Sequence, residues 1–217
     1  MNTYIELPLS GLEPALSEME ELVQDNCHRF AEEVLRPAGT VMDAMTPEQT
    51  VAPDSPLWQV LEQSQELGLS VAAMLDMEPV ERTRVMLIAA EELAWGDPGL
   101  AGMILVSQMP ALYAALAGSM EMVEFCDGKL GCWGITEPDH GSDTLDADGS
   151  LQATDGQYGR PNCVARVEKD RIVINGQKSA WVSGGTIAEV CALYCYLEED
   201  GEVKPGVSLI VPLDLPG

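Results

Sequence analysis

Basic residues are scarce in this chain. Its 217 residues carry 36 Asp and Glu against 11 Lys and Arg and 2 His, a formal net charge of -25. A pI of about 4.1 follows. Such a chain repels phosphate backbones and anionic lipid surfaces, so nucleic acid is excluded as a partner class. Long apolar runs are also lacking. No uninterrupted stretch of about eighteen apolar residues is visible, so no membrane span and no membrane partner are expected. Met1 to Glu20 has neither a basic segment followed by an apolar one nor an Arg-rich amphipathic pattern, so the expected location is cytoplasmic. The 6 cysteines, Cys27, Cys126, Cys132, Cys163, Cys191 and Cys195, form no CxxC pair and no metal-finger spacing. They read as reduced thiols, and no metal ligands are assigned.

What is present divides into two kinds of pattern. Leu16, Met19, Val23, Cys27, Phe30 and Val34 recur every three or four residues, as on one buried helix face. Pro37 and Gly39 are expected to stop that helix, and Thr40–Pro56, with Pro47 and Pro53 inside it, reads as a loop. Leu57, Val60, Leu61 and Leu67 mark a short helix closed by Gly68. Pro79 opens another, where proline is tolerated. Val80, Arg84, Leu87, Ile88, Glu91 and Trp95 follow before Gly96-Asp97-Pro98-Gly99 breaks it. Leu100 to about Ala117 reads as one apolar helix, central to its bundle.

Near Gly128 the segments become shorter and richer in β-branched residues. Val164–Glu168 and Arg171–Ile174 flank Lys169-Asp170, which suits a tight hairpin. Asn175-Gly176 reads as a second hairpin turn, because both residues accept positive φ. Lys178–Ser183, Val190–Leu197 and Val207–Pro212 read as further strands. Helices first and strands second give an α+β chain. The expected organisation is an N-terminal all-helical bundle over 1–128, followed by an antiparallel β-barrel-like middle domain over 129–217. A strand so close to Gly217 would leave an open edge or a missing partner.

Two segments carry chemistry-bearing residues. Thr136-Glu137-Pro138-Asp139-His140-Gly141-Ser142-Asp143 follows the apolar Trp133-Gly134-Ile135 and is rich in turn formers. It can present hydroxyls and backbone N–H groups to an anion or to a polar ring edge, although alone it fits an ordinary capping loop as well. In Lys178–Gly185, Trp181 and Ser183 would share one side of a strand. An aromatic face beside a hydroxyl suits a flat heteroaromatic ring; alone it fits a core tryptophan equally.

Together the two segments resemble the paired signatures of the acyl-CoA dehydrogenase family. Thr136–Asp143 matches its T-E-P-x-x-G-S-D stretch, and Asn175–Gly185 resembles N-G-x-K-x-W-[IV]-[TS]-x-G-G, with one residue more between Lys178 and Trp181. Phe30–Pro37, Glu66–Leu69 and Glu91–Asp97 add weaker likeness, so the resemblance covers nearly the whole chain. It implies a bound FAD. Trp133, Ile135 and Thr136 would lie beside the ring, and Gly141 and Ser142 near the phosphates, with Ser142 also touching an acyl-CoA substrate. Trp181 would cover the ring, and the Ser183 hydroxyl would reach flavin N5.

The implied reaction is α,β-dehydrogenation of an acyl-CoA thioester. A carboxylate must take the α-proton in a dry site. In the family that glutamate comes from a C-terminal helical domain, which lies beyond this sequence, so no catalytic residue is assigned and Glu137 is read as structural. The resemblance further implies a homo- or hetero-oligomer, a chain that supplies the C-terminal domain, and electron-transfer flavoprotein as acceptor. The alternative is a non-catalytic relative serving as a binding or regulatory subunit. Two departures bear on substrate class: a short linker at Gly118–Lys129 and an acidic insertion at Thr144–Asn162. Ser183 replaces the family's threonine and keeps its hydroxyl.

Overall fold

The computed structural model describes residues 15–141, 162–179 and 182–215. Helix α1 (Glu18–Phe30) opens on a capping box, in which the Ser17 side chain accepts from the Glu20 N–H and the Glu20 carboxylate accepts from the Ser17 N–H. It does not stop at Pro37. A π turn over Ala31–Leu35 carries the chain directly into α2 (Arg36–Met42). In the π turn the Arg36 N–H reaches back to the Ala31 carbonyl. That wider turn absorbs the N–H that Pro37 lacks, which in a continuous α-helix would kink or end the element. The inner side holds Cys27, Phe30, Ala31 and Leu35, whereas Met19, expected on it, is exposed.

The expected loop after Gly39 contains α3 (Pro47–Thr50), opened by a Thr46–Gln49 capping box. Helix α4 (Pro56–Gln65) ends as expected near Gly68, whose φ is +67°. A short α5 (Val71–Met74) precedes α6 (Pro79–Gly96), which Pro79 opens. The buried side of α6 is Val85, Ala89, Glu92 and Leu93; Val80 and Leu87 point outward. The apolar residues of α6 lie on several sides, so periodicity could not select the inner one. Glu92 is fixed by Gln24 Nε2 at 3.0 Å and His28 Nδ1 at 2.8 Å.

The single apolar helix expected over 100–117 is two helices, α7 (Pro98–Val106) and α8 (Met109–Leu116). Pro98–Leu116 does meet the length and composition of a membrane span, with a mean hydropathy of 1.5, contrary to the expectation that no stretch would. It is built into the protein nonetheless. Leu100, Ala101 and Ile104 join the main helical core. Ala111 packs with Val190 of the sheet. Helix α9 (Met120–Cys126) occupies the short linker.

The sheet contains β1 (Gly131–Gly134), β2 (Cys163–Glu168), β3 (Arg171–Gly176), β4 (Val190–Glu199) and β5 (Glu202–Pro212). Its order is β1-β4-β2-β3, with β5 also on β4. Both β1–β4 and β2–β4 are parallel, so the sheet is mixed rather than antiparallel. Among the described residues it does not close into a barrel. Strand β5 lies along β4 from end to end, so β1 and β2 share the opposite edge of β4 in succession. Hairpin β2–β3 turns at Lys169-Asp170 as expected, with Lys169 at φ 51°.

Asn175-Gly176 is not a turn. Both residues lie in β3, paired with Val164 and Cys163. Gly176 has φ +142°, and a Cβ there would stand 1.9 Å from the Asn162 carbonyl oxygen. Glycine is required here by a close backbone approach rather than by a hairpin. Lys178 and Ser179 lie outside the ladder and are not the first residues of a strand.

Candidate functional site

Strand β1 delivers the first signature stretch. Its start is pressed against the helices: a Cβ on Gly131 would lie 2.2 Å from the Ser107 carbonyl oxygen. Trp133 pairs in register with Ala192 and faces the helical side, near Tyr113 of α8 and Tyr194 of β4. The two tyrosine hydroxyls hydrogen-bond to each other. Burial and that bond push Tyr194 above its ordinary range. Cys132 lies on the opposite side of β1, in register with Cys191.

After β1, the loop folds around Glu137. The carboxylate of Glu137 is 1% exposed and accepts three hydrogen bonds: from the N–H groups of Asn162 (2.7 Å) and Cys163 (3.1 Å), and from the Lys178 ammonium (2.9 Å). Lys178 also donates to the Ile135 carbonyl at 2.9 Å. A tight turn closes Glu137–His140, with the Glu137 N–H on the His140 carbonyl at 2.8 Å. Asn162 staples its tip, accepting from the Asp139 N–H and donating to the Asp139 carboxylate. A buried carboxylate demands this many donors. The expectation that Glu137 is structural agrees with its contacts.

The second stretch runs beside the first. The Ser179 N–H donates to the Thr136 carbonyl at 2.9 Å, beyond the end of β1. At the other end of β1, the Glu189 N–H donates to the Leu130 carbonyl and the Leu130 N–H to the Glu189 carboxylate. Gly184 lies close to the Gly131 carbonyl. Ser179 thus meets the chain beyond the end of β1, Gly184 lies near its start, and Glu189 extends its pairing with β4.

Trp133, Ile135, Thr136 and Gly141 thus lie on one continuous strand and loop, with Trp133, Ile135 and Thr136 partly buried. Ser183 is exposed at the start of a turn over 183–187. Ser142 and Trp181 fall outside the described residues. Glu137, Asn162 and Lys178 were not foreseen as one unit; Lys178 stands at the fixed lysine of the second stretch, which was the available signal. Among the described residues no group of three or more His, Cys, Asp or Glu is arranged to hold a metal ion.

A flat ring with a polar edge fits this arrangement. The indole Nε1 of Trp133 and the Oγ of Ser179 are buried with no hydrogen-bond partner. Such orphans call for an explanation in a native fold, and a ligand is one. A cleft of about 310 Å³ that includes Gly39, Asp97 and Met103 reaches Gly184 and Thr186 of the second stretch.

No family model matches the chain. It is 27% identical over 215 residues to the mitochondrial short-chain specific acyl-CoA dehydrogenase of Rattus norvegicus, covering 93% of this chain and 46% of that enzyme. Glutaryl-CoA dehydrogenase from Mycobacterium smegmatis shares the fold with a TM-score of 0.65 at 24% identity, over 95% of this chain and 49% of the enzyme. A glutaryl-CoA dehydrogenase from the same organism in complex with FADH2 gives 0.62 at 20%, over 93% and 47%. Butyryl-CoA dehydrogenase from Megasphaera elsdenii gives 0.66 at 20%, over 95% and 51%. The chain spans about half the length of each of these proteins. The chain is thus similar in sequence to the rat acyl-CoA dehydrogenase and shares the fold of the bacterial enzymes.

Proposed function

We propose that this chain forms the flavin-facing part of an FAD-dependent acyl-CoA dehydrogenase. The observation that carries the reading is the hydrogen bond from Ser179 N–H to the Thr136 carbonyl, which joins the two signature stretches into one wall. The unpartnered Trp133 Nε1 and Ser179 Oγ in that wall support it. So does the FADH2 carried by a neighbour of the same fold.

When bound, FAD supplies the hydride acceptor for α,β-dehydrogenation of an acyl-CoA thioester. The chain's residues hold and orient it. Trp133, Ile135 and Thr136 line the ring, Gly141 and Ser142 meet the phosphates, and Ser142 also meets the acyl-CoA. Trp181 covers the ring, and the exposed Ser183 hydroxyl serves N5. Rigid donors at a centre that gains charge stabilise it without reorganisation. The Glu137–Lys178 clamp keeps the loop in place for this. The base that removes the α-proton belongs to a C-terminal helical domain, supplied by further sequence or by a partner chain. Oligomerisation and reoxidation by electron-transfer flavoprotein belong to the same reading.

An absorption spectrum tests it. The purified protein is examined near the flavin bands, with and without a chain carrying the C-terminal helical half, and then with an acyl-CoA. Flavin bands that bleach on addition of the thioester are the expected result. A colourless protein under all conditions would overturn the proposal. Flavin bound without turnover, with every such partner present, would select the binding or regulatory subunit instead.

A further inference from the structure

The two orphaned polar atoms are related in space. Ser179 is hydrogen-bonded through its backbone to Thr136, three residues beyond Trp133 on the same strand and loop. Gln177 and Ser179 both donate backbone N–H groups to the 135–162 loop region, Gln177 to the Asn162 carbonyl and Ser179 to Thr136. Alternate residues donating in this way mark extended backbone, in which neighbouring side chains point to opposite sides. Lys178 points to the clamp, where its ammonium is held by Glu137 and Ile135. The Ser179 hydroxyl therefore points away from the clamp.

Among the described residues nothing satisfies either orphan. The hydroxyls of the neighbouring Tyr113 and Tyr194 rings are engaged with each other. An indole N–H only donates, so its partner must be an acceptor; a serine hydroxyl both donates and accepts. The pyrimidine edge of an isoalloxazine alternates carbonyl and N–H groups and so meets both requirements.

We propose that Ser179 is a cofactor-binding residue and that it acts with Trp133, their Oγ and Nε1 taking the carbonyl and N–H edge of the flavin ring. This rests on the flavin reading above and adds to it a residue outside the set expected from the family signatures. It has a consequence that an ordinary structural serine lacks. Without the cofactor the hydroxyl is a buried, unpaired group, which destabilises the fold; with the cofactor it becomes a ligand contact. Removing it should therefore strengthen the empty chain and weaken the loaded one.

The experiment uses the full chain with added FAD. Dissociation constants from flavin fluorescence, and melting temperatures without FAD, are compared for the wild type, Ser179→Ala, Trp133→Phe and the remote Thr83→Ala. Ser179→Ala is expected to melt higher than wild type when empty and to bind FAD about tenfold more weakly, the size of one lost hydrogen bond. Trp133→Phe should also bind more weakly, and Thr83→Ala should match wild type. An unchanged FAD constant in both site variants, or a lower melting temperature for empty Ser179→Ala, overturns this inference alone. A wild-type chain that takes up no FAD, alone or with a chain carrying the C-terminal helical half, overturns both this inference and the proposed function.

Discussion

Glu137 and Lys178 meet at 2.9 Å with side chains only 1% and 11% exposed, and they tie the loop after β1 to the segment after β3. Two backbone N–H groups complete the carboxylate's shell. Removing one partner of such a pair strands the other as a buried charge, at a cost of roughly 3–5 kcal/mol. Glu137→Ala should therefore lower unfolding stability by about that amount in denaturant melts. Glu137→Gln combined with Lys178→Met should recover a substantial part of the loss. If Glu137→Ala melts like wild type, the clamp does not hold the loop.

Gly176→Ala tests the misread Asn-Gly pair. The new methyl would stand 1.9 Å from the Asn162 carbonyl oxygen at a φ of +142°. The start of β2 must shift, and Asn162 with it. A loss of about 2–4 kcal/mol is expected, because both overpacking and a disfavoured backbone region are involved. The neighbouring Asn175→Ala, exposed in β3, should change stability by less than about 0.5 kcal/mol. Equal effects at the two positions would mean that the close approach is absent.

Acid should remove the stability that the α1–α6 ion pair contributes. Arg84 donates to both carboxylate oxygens of buried Glu20, one of these bonds being 2.9 Å. With the Ser17 N–H, it lowers Glu20 from 4.5 to about 2. A carboxylate depressed in the folded state contributes stability above its unfolded pKa, and that contribution disappears as pH falls through the folded value. The Glu20 contribution should be complete above about pH 4.5 and fade toward pH 2. Glu20→Gln should lack this slope in melts recorded across that window; a slope identical to wild type would refute the assignment.

All 6 thiols are free and buried. Burial raises Cys27 to about 11, with help from the Glu92 charge. Cys163 is lowered to about 7 because it accepts from Cys195, but it is only 3% exposed. Access rather than acidity should control reaction, since a thiolate must be reachable to attack. A thiol reagent should label close to none of them in native protein at pH 7 and all of them in denaturant. Rapid labelling of the native chain would show that the strands around Cys163 open easily.

Local chemistry was legible and tertiary choices were not. Pro79, Gly68 and the Lys169-Asp170 turn act through their own backbone, so the sequence placed them correctly. Pro37 misled because a neighbouring π turn removed the conflict it should have caused. The parallel pairing of β1 with β4 leaves no trace in alternation, which reports burial and not strand direction. At the site, the turn-forming character of the stretch after β1 was legible, and Glu137–His140 closes a tight turn. Asn162 was not legible, since its role comes from contacts with Glu137 and Asp139 that only the fold creates.

Strand β4 joins β5 across the Asp200-Gly201 turn but reaches β1 only when Leu130 and Glu189, 59 residues apart, come together. The hairpin can close as soon as both of its strands exist, whereas β1 must wait for most of the remaining chain. During synthesis, then, the stretch that bears Trp133 stays without a strand partner until β4 emerges, longer than either strand of the β2–β3 hairpin. A nascent chain paused before Val190 would display it unpaired, which makes that interval the natural moment for a chaperone to act.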